Sequence, residues 1–187
     1  MMQLTQERAP TEAGIPASVA HILDKIINVA ATSVAVLALV LLFLSLGAEV
    51  VVRYLTTQGL GWPSEMPNLL FPWLVMGGIV VAAQHGSHIA VTLILDLLGP
   101  QRARILLLVM QVVIAATFFY LAYIGLAVIE VTGSEIYPVT GVPARWAYLA
   151  LIAGFTGIAL TAVTTFLRLL VAKDPFSVRA HRAEDEI

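Results

Sequence analysis

Two histidines are the residues of this sequence whose type and spacing most suggest chemistry. His85 and His88 are three residues apart, a spacing that could hold a metal ion or a haem iron. They follow an apolar segment, whereas bis-histidine haem ligands lie on facing helices inside a bundle. We therefore expect no metal site and no cofactor.

Glu49 is the acid closest to the interior of an apolar segment, where a carboxylate usually marks an ion path. It lies at the far end of the first segment, and Arg53 follows four residues later. An acid four residues before a base is the favourable order for an ion pair on a helix. We therefore expect Glu49 and Arg53 to pair at the membrane surface, with the Arg53 side chain reaching water.

Catalytic signatures are absent from the sequence. There is no H-E-x-x-H, no G-x-S-x-G and no glycine-rich phosphate loop. The chain has 0 cysteines, which excludes disulfides and a cysteine nucleophile. Its formal net charge is −2, so there is no basic surface for nucleic acid. We expect no enzymatic activity, no catalytic residue and no nucleic-acid partner.

The elements that would position these residues are membrane-spanning helices. Of 187 residues, 59% are hydrophobic and 12% charged, and the mean hydropathy is +0.92. A soluble domain carries roughly 25% charged residues, and a helix needs about 20 apolar residues to cross the bilayer. The sequence predicts an all-α integral membrane protein, a single membrane domain over 1–187 with four transmembrane helices at about 26–48, 66–83, 105–129 and 146–167.

The segments outside the predicted spans are short. Residues 1–17 are predicted to be a flexible tail and 172–187 a second tail. Ser18 is predicted to cap the first helix. Early in that helix, Asp24 and Lys25 fall on a polar face opposite the apolar residues.

The placement of lysine and arginine predicts that both termini are cytoplasmic, because positive charge concentrates on that side. The other side carries only Arg53 and Arg145. The cytoplasmic side carries the remaining eight, which are Arg8, Lys25, Arg102, Arg104, Arg168, Lys173, Arg179 and Arg182.

A short apolar segment at about 89–98 is predicted to form an interfacial helix between helices two and three. Gly99-Pro100 ends it, and His88, Thr92 and Asp96 recur every four residues. On a helix this spacing makes one narrow polar stripe. The stripe faces headgroups and water in one interpretation, and contacts a partner subunit in the other.

Small residues four apart are predicted to let the spans pack closely. Three such pairs occur, namely Gly78 with Ala82, Ala150 with Gly154, and Ala153 with Gly157. The four spans contain no charged residue between their predicted ends, so they offer poor sites for an ion or a carboxylate.

An ordered set of residues resembles the small, Q-type membrane subunit of tripartite ATP-independent periplasmic (TRAP) transporters. The matching stretches read R-Y-L-T-T-Q-G-L-G-W-P-S-E, F-P-W-L-V-M-G-G and Q-H-G-S-H-I-A-V. The family-motif residues are Arg53, Trp62, Glu65, Trp73, Gly77, His88 and, in a weaker match before helix four, Pro143.

This resemblance implies a multi-pass protein of the bacterial inner membrane that belongs to a three-part importer. Its partners would be a large permease subunit, a periplasmic substrate-binding protein and the lipid bilayer. The importer would take up organic acids such as dicarboxylates, driven by a sodium gradient. The small subunit would brace the large one without transporting substrate itself.

Three roles stay open for Arg53 and Glu65. They could pair and join the outer ends of helices one and two. Alternatively, Ser64 caps helix two, Glu65 favours the helix dipole and Arg53 reaches water. In a third interpretation, one of the two meets the docking periplasmic protein.

Two other functions compete with the transporter subunit. A small four-helix exporter would need an acid near mid-membrane, and Glu49 lies too near the end of its span. A membrane anchor of a respiratory enzyme would need haem ligands inside the bundle.

Overall fold

Four long α-helices make up the part of the chain that the structure, a computed structural model, describes. The described residues are 15–56, 59–85 and 100–171, with the backbone alone for 15–18 and 100. The helices are α1 (Ile15–Thr56), α2 (Met66–His85), α3 (Pro100–Thr132) and α4 (Arg145–Val171), and a 3₁₀ turn, Trp62–Ser64, precedes α2. All four are long and apolar enough to cross a membrane, which confirms the predicted four-span, all-α fold class.

Several predicted features lie outside the described residues. They are the interfacial helix at 89–98 together with His88, nearly all of the tail at 1–17, and the tail at 172–187. The cytoplasmic placement of the termini stays a prediction, since the structure contains no membrane.

Helix α1 begins earlier than the sequence predicted. It starts at Ile15, so Ser18 lies inside the helix and the prediction of an N-cap there was wrong. Pro16 is tolerated because the first turn of a helix has no partner for its N–H groups. The 42 residues of α1 give a length of roughly 63 Å, about twice the hydrocarbon thickness.

The helices pack in the order α1, α2, α4, α3 across the bundle. Helix α2 lies between α1 and α4, and α3 packs against α4. Helix α4 also contacts α1, so it touches all three other helices. Among the described residues α1 and α3 make no substantial contact, so the four helices do not close into a ring.

Glycines on α2 and α4 bring the helix backbones together. A Cβ atom at Gly77 would lie 2.9 Å from the Ala31 carbonyl oxygen and 2.9 Å from the Ala35 Cβ on α1. One at Gly157 would lie 3.0 Å from a methyl group of Val80. Gly154 accommodates the side chain of Met76 in the same way.

Of the three predicted small-residue pairs, only one has both residues buried at a helix contact. Ala150 and Gly154 are buried between the helices. Gly78 and Ala82 are exposed, and nothing lies within 4 Å of a Cβ atom at Gly78. Ala153 is exposed as well. Spacing alone does not say which side of a helix faces a neighbour, and on α2 the adjacent Gly77 takes the packing position.

A hairpin loop, residues 133–144, joins α3 to α4. The Ala144 N–H donates to the Glu135 carbonyl oxygen at 2.8 Å, and the Tyr137 N–H donates to the Val142 carbonyl oxygen at 3.0 Å. Gly141 takes a positive φ of 69° at its tip, a conformation that suits glycine. We call this side of the bundle the hairpin end, and the side where α1 begins and α4 ends the terminal end.

Candidate functional site

The carboxylate of Glu65 is the centre of a hydrogen-bonded cluster at the hairpin end. It accepts hydrogen bonds from the backbone N–H of Val139 at 2.9 Å and of Thr140 at 2.8 Å. The Thr140 hydroxyl donates to the same carboxylate at 2.7 Å. The start of α2 is thereby joined to the hairpin loop, which lies more than seventy residues further along the chain. We call Glu65, Val139 and Thr140 the Glu65 cluster.

The turn before α2 aims Glu65 at the hairpin loop. Gly61 has a φ of 78°, which is readily adopted by glycine alone, and it allows the 3₁₀ turn Trp62–Ser64 to follow. The Ser64 hydroxyl donates to the Gly61 carbonyl oxygen at 2.5 Å. Ser64 therefore closes this turn and does not cap α2, so the predicted capping role was wrong.

Neither predicted ion pair of Arg53 is present among the described residues. The Glu49 carboxylate instead accepts the backbone N–H of Leu60 at 2.9 Å, which ties the end of α1 to the following loop. Glu65 is taken by the hairpin loop, and Arg53 is exposed at the end of α1. Both carboxylates thus accept hydrogen bonds from backbone N–H groups of the loops, and neither binds the exposed Arg53 guanidinium.

Trp73 joins α2 to α4 at the hairpin end. Its indole N–H donates to the Trp146 carbonyl oxygen at 3.0 Å. Pro143 lies opposite Ile136 in the hairpin loop, and its carbonyl oxygen accepts the Trp146 N–H at 3.3 Å. Trp62 is 40% exposed. Four of the seven family-motif residues hold this chain's own helices and loops together, namely Glu65, Trp73, Pro143 and, at the α1–α2 contact, Gly77.

Tyr137 lies beside the Glu65 cluster in the hairpin loop. Burial raises the pKa of its phenol, and the neighbouring Tyr148, Glu135 and Glu65 raise it further. The phenol therefore stays neutral at physiological pH and places no second charge beside Glu65.

A second polar cluster lies at the terminal end, and its centre is Asp24. Arg168 Nη2 lies 2.6 Å from one carboxylate oxygen, and the Thr164 hydroxyl donates to the other at 2.5 Å. The Gln84 amide donates to the Asp24 backbone carbonyl at 3.1 Å. These four residues, the Asp24 cluster, bring α1, α2 and α4 together.

The prediction that Asp24 lies on a polar face was wrong, because only 1% of the residue is exposed. A signal was present in the sequence. Asp24 falls seven residues before Ala31 and fourteen before Ala38, on a line of small residues that faces the other helices. The prediction failed because it grouped Asp24 with its exposed neighbour Lys25.

The contacts of the Glu65 and Asp24 clusters join helices and loops of this chain to one another. No group of three or more metal-binding side chains occurs among the described residues. The His85 ring nitrogen lies 2.8 Å from the Val81 carbonyl oxygen of its own helix. The charged groups of the described helices lie near the helix ends, and the interior between them is filled by apolar and small residues.

Comparison with known families identifies a transporter component. Residues 42–172 match the family described as "Tripartite ATP-independent periplasmic transporters, DctQ component". The chain belongs to the DctQ family. It is therefore a non-catalytic subunit of a transporter and a multi-pass protein of the inner membrane. Membership selects this function over the small exporter and the respiratory anchor.

Individual relatives agree with the family assignment. The DctQ chain is 26% identical over 132 residues to a putative TRAP transporter small permease protein of Haemophilus influenzae, covering 71% of this chain and 78% of the relative. It is 25% identical over 165 residues to the ectoine TRAP transporter small permease protein TeaB of Halomonas elongata, covering 87% of this chain and 85% of the relative.

A longer relative has the same segment as part of a larger chain. The DctQ chain is 34% identical over 141 residues to the uncharacterised protein y4mM of Sinorhizobium fredii, which is 75% of this chain. The match spans about a quarter of that protein, 26% of its length. In y4mM the small-subunit segment is thus covalently joined to further sequence.

Proposed function

We propose that this chain is the small membrane subunit of a sodium-driven, binding-protein-dependent importer of organic acids such as dicarboxylates. Its partners are a large permease subunit, which carries the substrate path, and a periplasmic substrate-binding protein. In this proposal the chain stabilises the fixed part of the large permease and does not itself bind substrate.

The position of the charged groups carries the proposal. An organic acid crossing the bilayer needs cations, helix N-termini or broken helices near mid-membrane to replace its water. Between Lys25 and Glu49 of α1, and between Arg145 and Arg168 of α4, there is no charged residue. Helix α2 continues without a break through Pro72. The described helices therefore suit a stabilising role better than a transport role.

Packing supports the same division of labour. Gly77 and Gly154 bring α1, α2 and α4 into close contact, and the Glu65 and Asp24 clusters join the helices at both ends. A bundle held in this way moves as one body, as a support for a moving permease must. Large apolar side chains stay exposed along α1 and α3, where lipid or a partner's helices can cover them.

Reconstituted uptake tests the proposal. The chain alone in liposomes should accumulate no dicarboxylate under a sodium gradient. Uptake should appear when the large permease and the matching binding protein are both supplied. The substrate panel should include ectoine, because one relative is named for it. Sodium-driven accumulation by this chain alone would overturn the supporting role.

Omitting one component at a time gives the matched control. Large permease and binding protein without this chain should show little uptake, and adding the chain should restore it. Full uptake in its absence would contradict the claim that the permease needs this subunit.

A further inference from the structure

Two tyrosines of α3 lie in the membrane-spanning part of the helix and on the outside of the bundle. Tyr120 is 64% exposed and Tyr123 is 72% exposed. Helix α3 carries no charged residue between Arg104 and Glu130, and Thr117 is midway between these two. At 1.5 Å per residue, the backbones of Tyr120 and Tyr123 lie roughly 5 and 9 Å from the level of Thr117. Both therefore lie within the hydrocarbon, which extends about 15 Å on either side of its middle.

Both tyrosines are on the side of α3 that is turned away from α4. Four exposed residues follow one another at steps of four, three and four, and therefore form one stripe along the helix. We call this stripe the tyrosine face, and it consists of Ala116, Tyr120, Tyr123 and Ala127. The opposite side of α3 packs on α4, where the ring centroids of Phe118 and Phe155 are 5.9 Å apart. A Cβ atom at Gly125 would lie 2.9 Å from the Ile152 side chain of α4.

The phenol hydroxyls of this face lack the solution that shorter hydroxyl side chains use. The Thr132 hydroxyl donates to the Val128 carbonyl oxygen of its own helix at 2.7 Å. A tyrosine hydroxyl is held too far from its own backbone for such a bond, and neither Tyr120 nor Tyr123 hydrogen-bonds to another of the described residues. Helical side chains lean toward the helix N-terminus, which for these two tyrosines means toward the middle of the membrane. Lipid tails accept no hydrogen bond, so they cover these hydroxyls only at a cost in free energy.

The exposed face of α1 differs from the tyrosine face at the same depth. Phe43 lies six residues from the middle of the charge-free stretch between Lys25 and Glu49, as Tyr123 does on α3. It is 75% exposed and carries no polar atom. Its exposed neighbours are aliphatic, namely Leu37, Leu39, Val40 and Leu44. This face of α1 suits lipid, whereas the tyrosine face requires hydrogen-bond acceptors.

We propose that the tyrosine face of α3 binds a transmembrane helix of the large permease, with both phenols donating hydrogen bonds to acceptors on that helix. The acceptors are side-chain amides or hydroxyls, or backbone carbonyls freed at a kink. Ala116 and Ala127 flank the tyrosines and allow a helix to approach closely, and tyrosine combines a large contact area with a polar end. The inference rests on the proposed function, which supplies the large permease as the partner.

A different protein suits this face better than a second copy of the chain. Two tyrosine faces in contact would offer each phenol only other phenols as acceptors, because Ala116 and Ala127 have no polar side-chain atom. In y4mM the segment that matches this chain makes up 26% of the protein. Other protein sequence is therefore held permanently next to the small-subunit segment in that relative.

Photo-crosslinking identifies what covers the tyrosine face. The photoreactive residue p-benzoylphenylalanine replaces Tyr120, Tyr123 or Phe43, one at a time, in the full chain co-expressed with its large permease. Irradiation of the membranes should give a covalent adduct with the large permease from positions 120 and 123. Position 43 should give none, and it matches Tyr123 in depth and exposure.

Removing the two hydroxyls tests the hydrogen bonds. The double variant Tyr120→Phe with Tyr123→Phe keeps both rings, and we expect the Kd for the large permease in liposomes to rise about tenfold. Energy transfer between the two labelled subunits measures this Kd. Thermal unfolding of the isolated subunit should be unchanged, because the hydroxyls bind none of the described residues. Tyr54→Phe removes a hydroxyl at the end of α1 and should leave the Kd unchanged.

The outcomes separate this surface from the proposed function. Binding of the parent chain to the large permease, with positions 120 and 123 crosslinked only to lipid or to a second copy, would overturn the proposed surface alone. An adduct from position 43 in their place, or an unchanged Kd in the double variant, would overturn it as well. Failure of the parent chain to bind the large permease at all would overturn the proposed function too.

Discussion

Glu65 illustrates how a single carboxylate can organise one end of a membrane bundle. Its two oxygens accept three hydrogen bonds from Val139 and Thr140, and hydrogen bonds to an ionised acceptor are stronger than neutral ones. The sequence predicted that Glu65 opens helix two. It could not predict the partner, because no periodic pattern connects residue 65 with a turn in the loop before helix four.

Replacing the carboxylate by an amide should loosen the hairpin loop. In Glu65→Gln one oxygen is replaced by an N–H₂ group that faces backbone donors, and the charge is lost. We expect amide hydrogen exchange at Val139 and Thr140 to become about tenfold faster, as measured by mass spectrometry or NMR. Glu135→Gln, an exposed acid in the same loop, is the control, and equal acceleration in both variants would contradict the assignment.

Arg53 and Glu65 should behave as independent residues. Because Glu65 is bound to the hairpin loop and Arg53 is exposed, no direct pair couples them. Arg53→Ala and Glu65→Ala each change the free energy of unfolding, measured by thermal unfolding. In the double variant these two changes should therefore add, within about 0.5 kcal/mol. A double variant clearly more stable than that sum would reinstate the ion pair.

At the scale of elements, two adjacent glycines of α2 provide a matched comparison. Gly77→Ala places a methyl group 2.9 Å from the backbone oxygen of Ala31, and should lower the free energy of unfolding by about 1–3 kcal/mol. Gly78→Ala adds the same group in open space, and should raise stability by up to about 1 kcal/mol. Unfolding of the isolated subunit in detergent measures both, and similar effects at the two positions would refute this helix contact.

The helices were predictable because hydropathy depends on composition over some twenty residues, and each of the four helices is at least 20 residues long. The faces of the helices were less predictable. Gly78 was expected at a contact that Gly77 makes, and Asp24 was expected in water although it is buried. Polar residues are not gathered on one side of α2, so its sequence does not indicate which side meets α1 or α4. The positions of those two helices determine that side.

The direction of the helices across the membrane is a separate, testable expectation. Single cysteines at Gly59 and Glu135 should react with an impermeant thiol reagent added from the periplasmic side, whereas one at Gln101 should not. The reason is the concentration of lysine and arginine beside the termini and at the start of α3. Labelling of Gln101→Cys from outside in intact cells would invert the assignment.

For the whole molecule, the open arrangement of helices matters as much as the contacts. Helix α3 packs against α4, leaving much of its apolar surface uncovered, and the ends of α1 extend beyond the length that a bilayer requires. In a closed four-helix bundle α1 and α3 would bury part of this surface against each other. The arrangement seen here leaves them available to lipid and to the proposed large permease.

Helix α4 touches each of the other helices, yet it is the last of the four to be synthesised. Before α4 enters the membrane, Met76 and Val80 lack the glycines of α4 against which they pack. The Thr164 hydroxyl that donates to Asp24 lies 140 residues further along the chain. Helices α1 and α2 can pack together early, but the contacts of the Asp24 carboxylate with α4 and the packing surface that α4 covers are completed only after α4 is inserted. Assembly of the four described helices is therefore completed by the insertion of α4, and a chain that stops before α4 leaves the surfaces that α4 covers on all three earlier helices exposed.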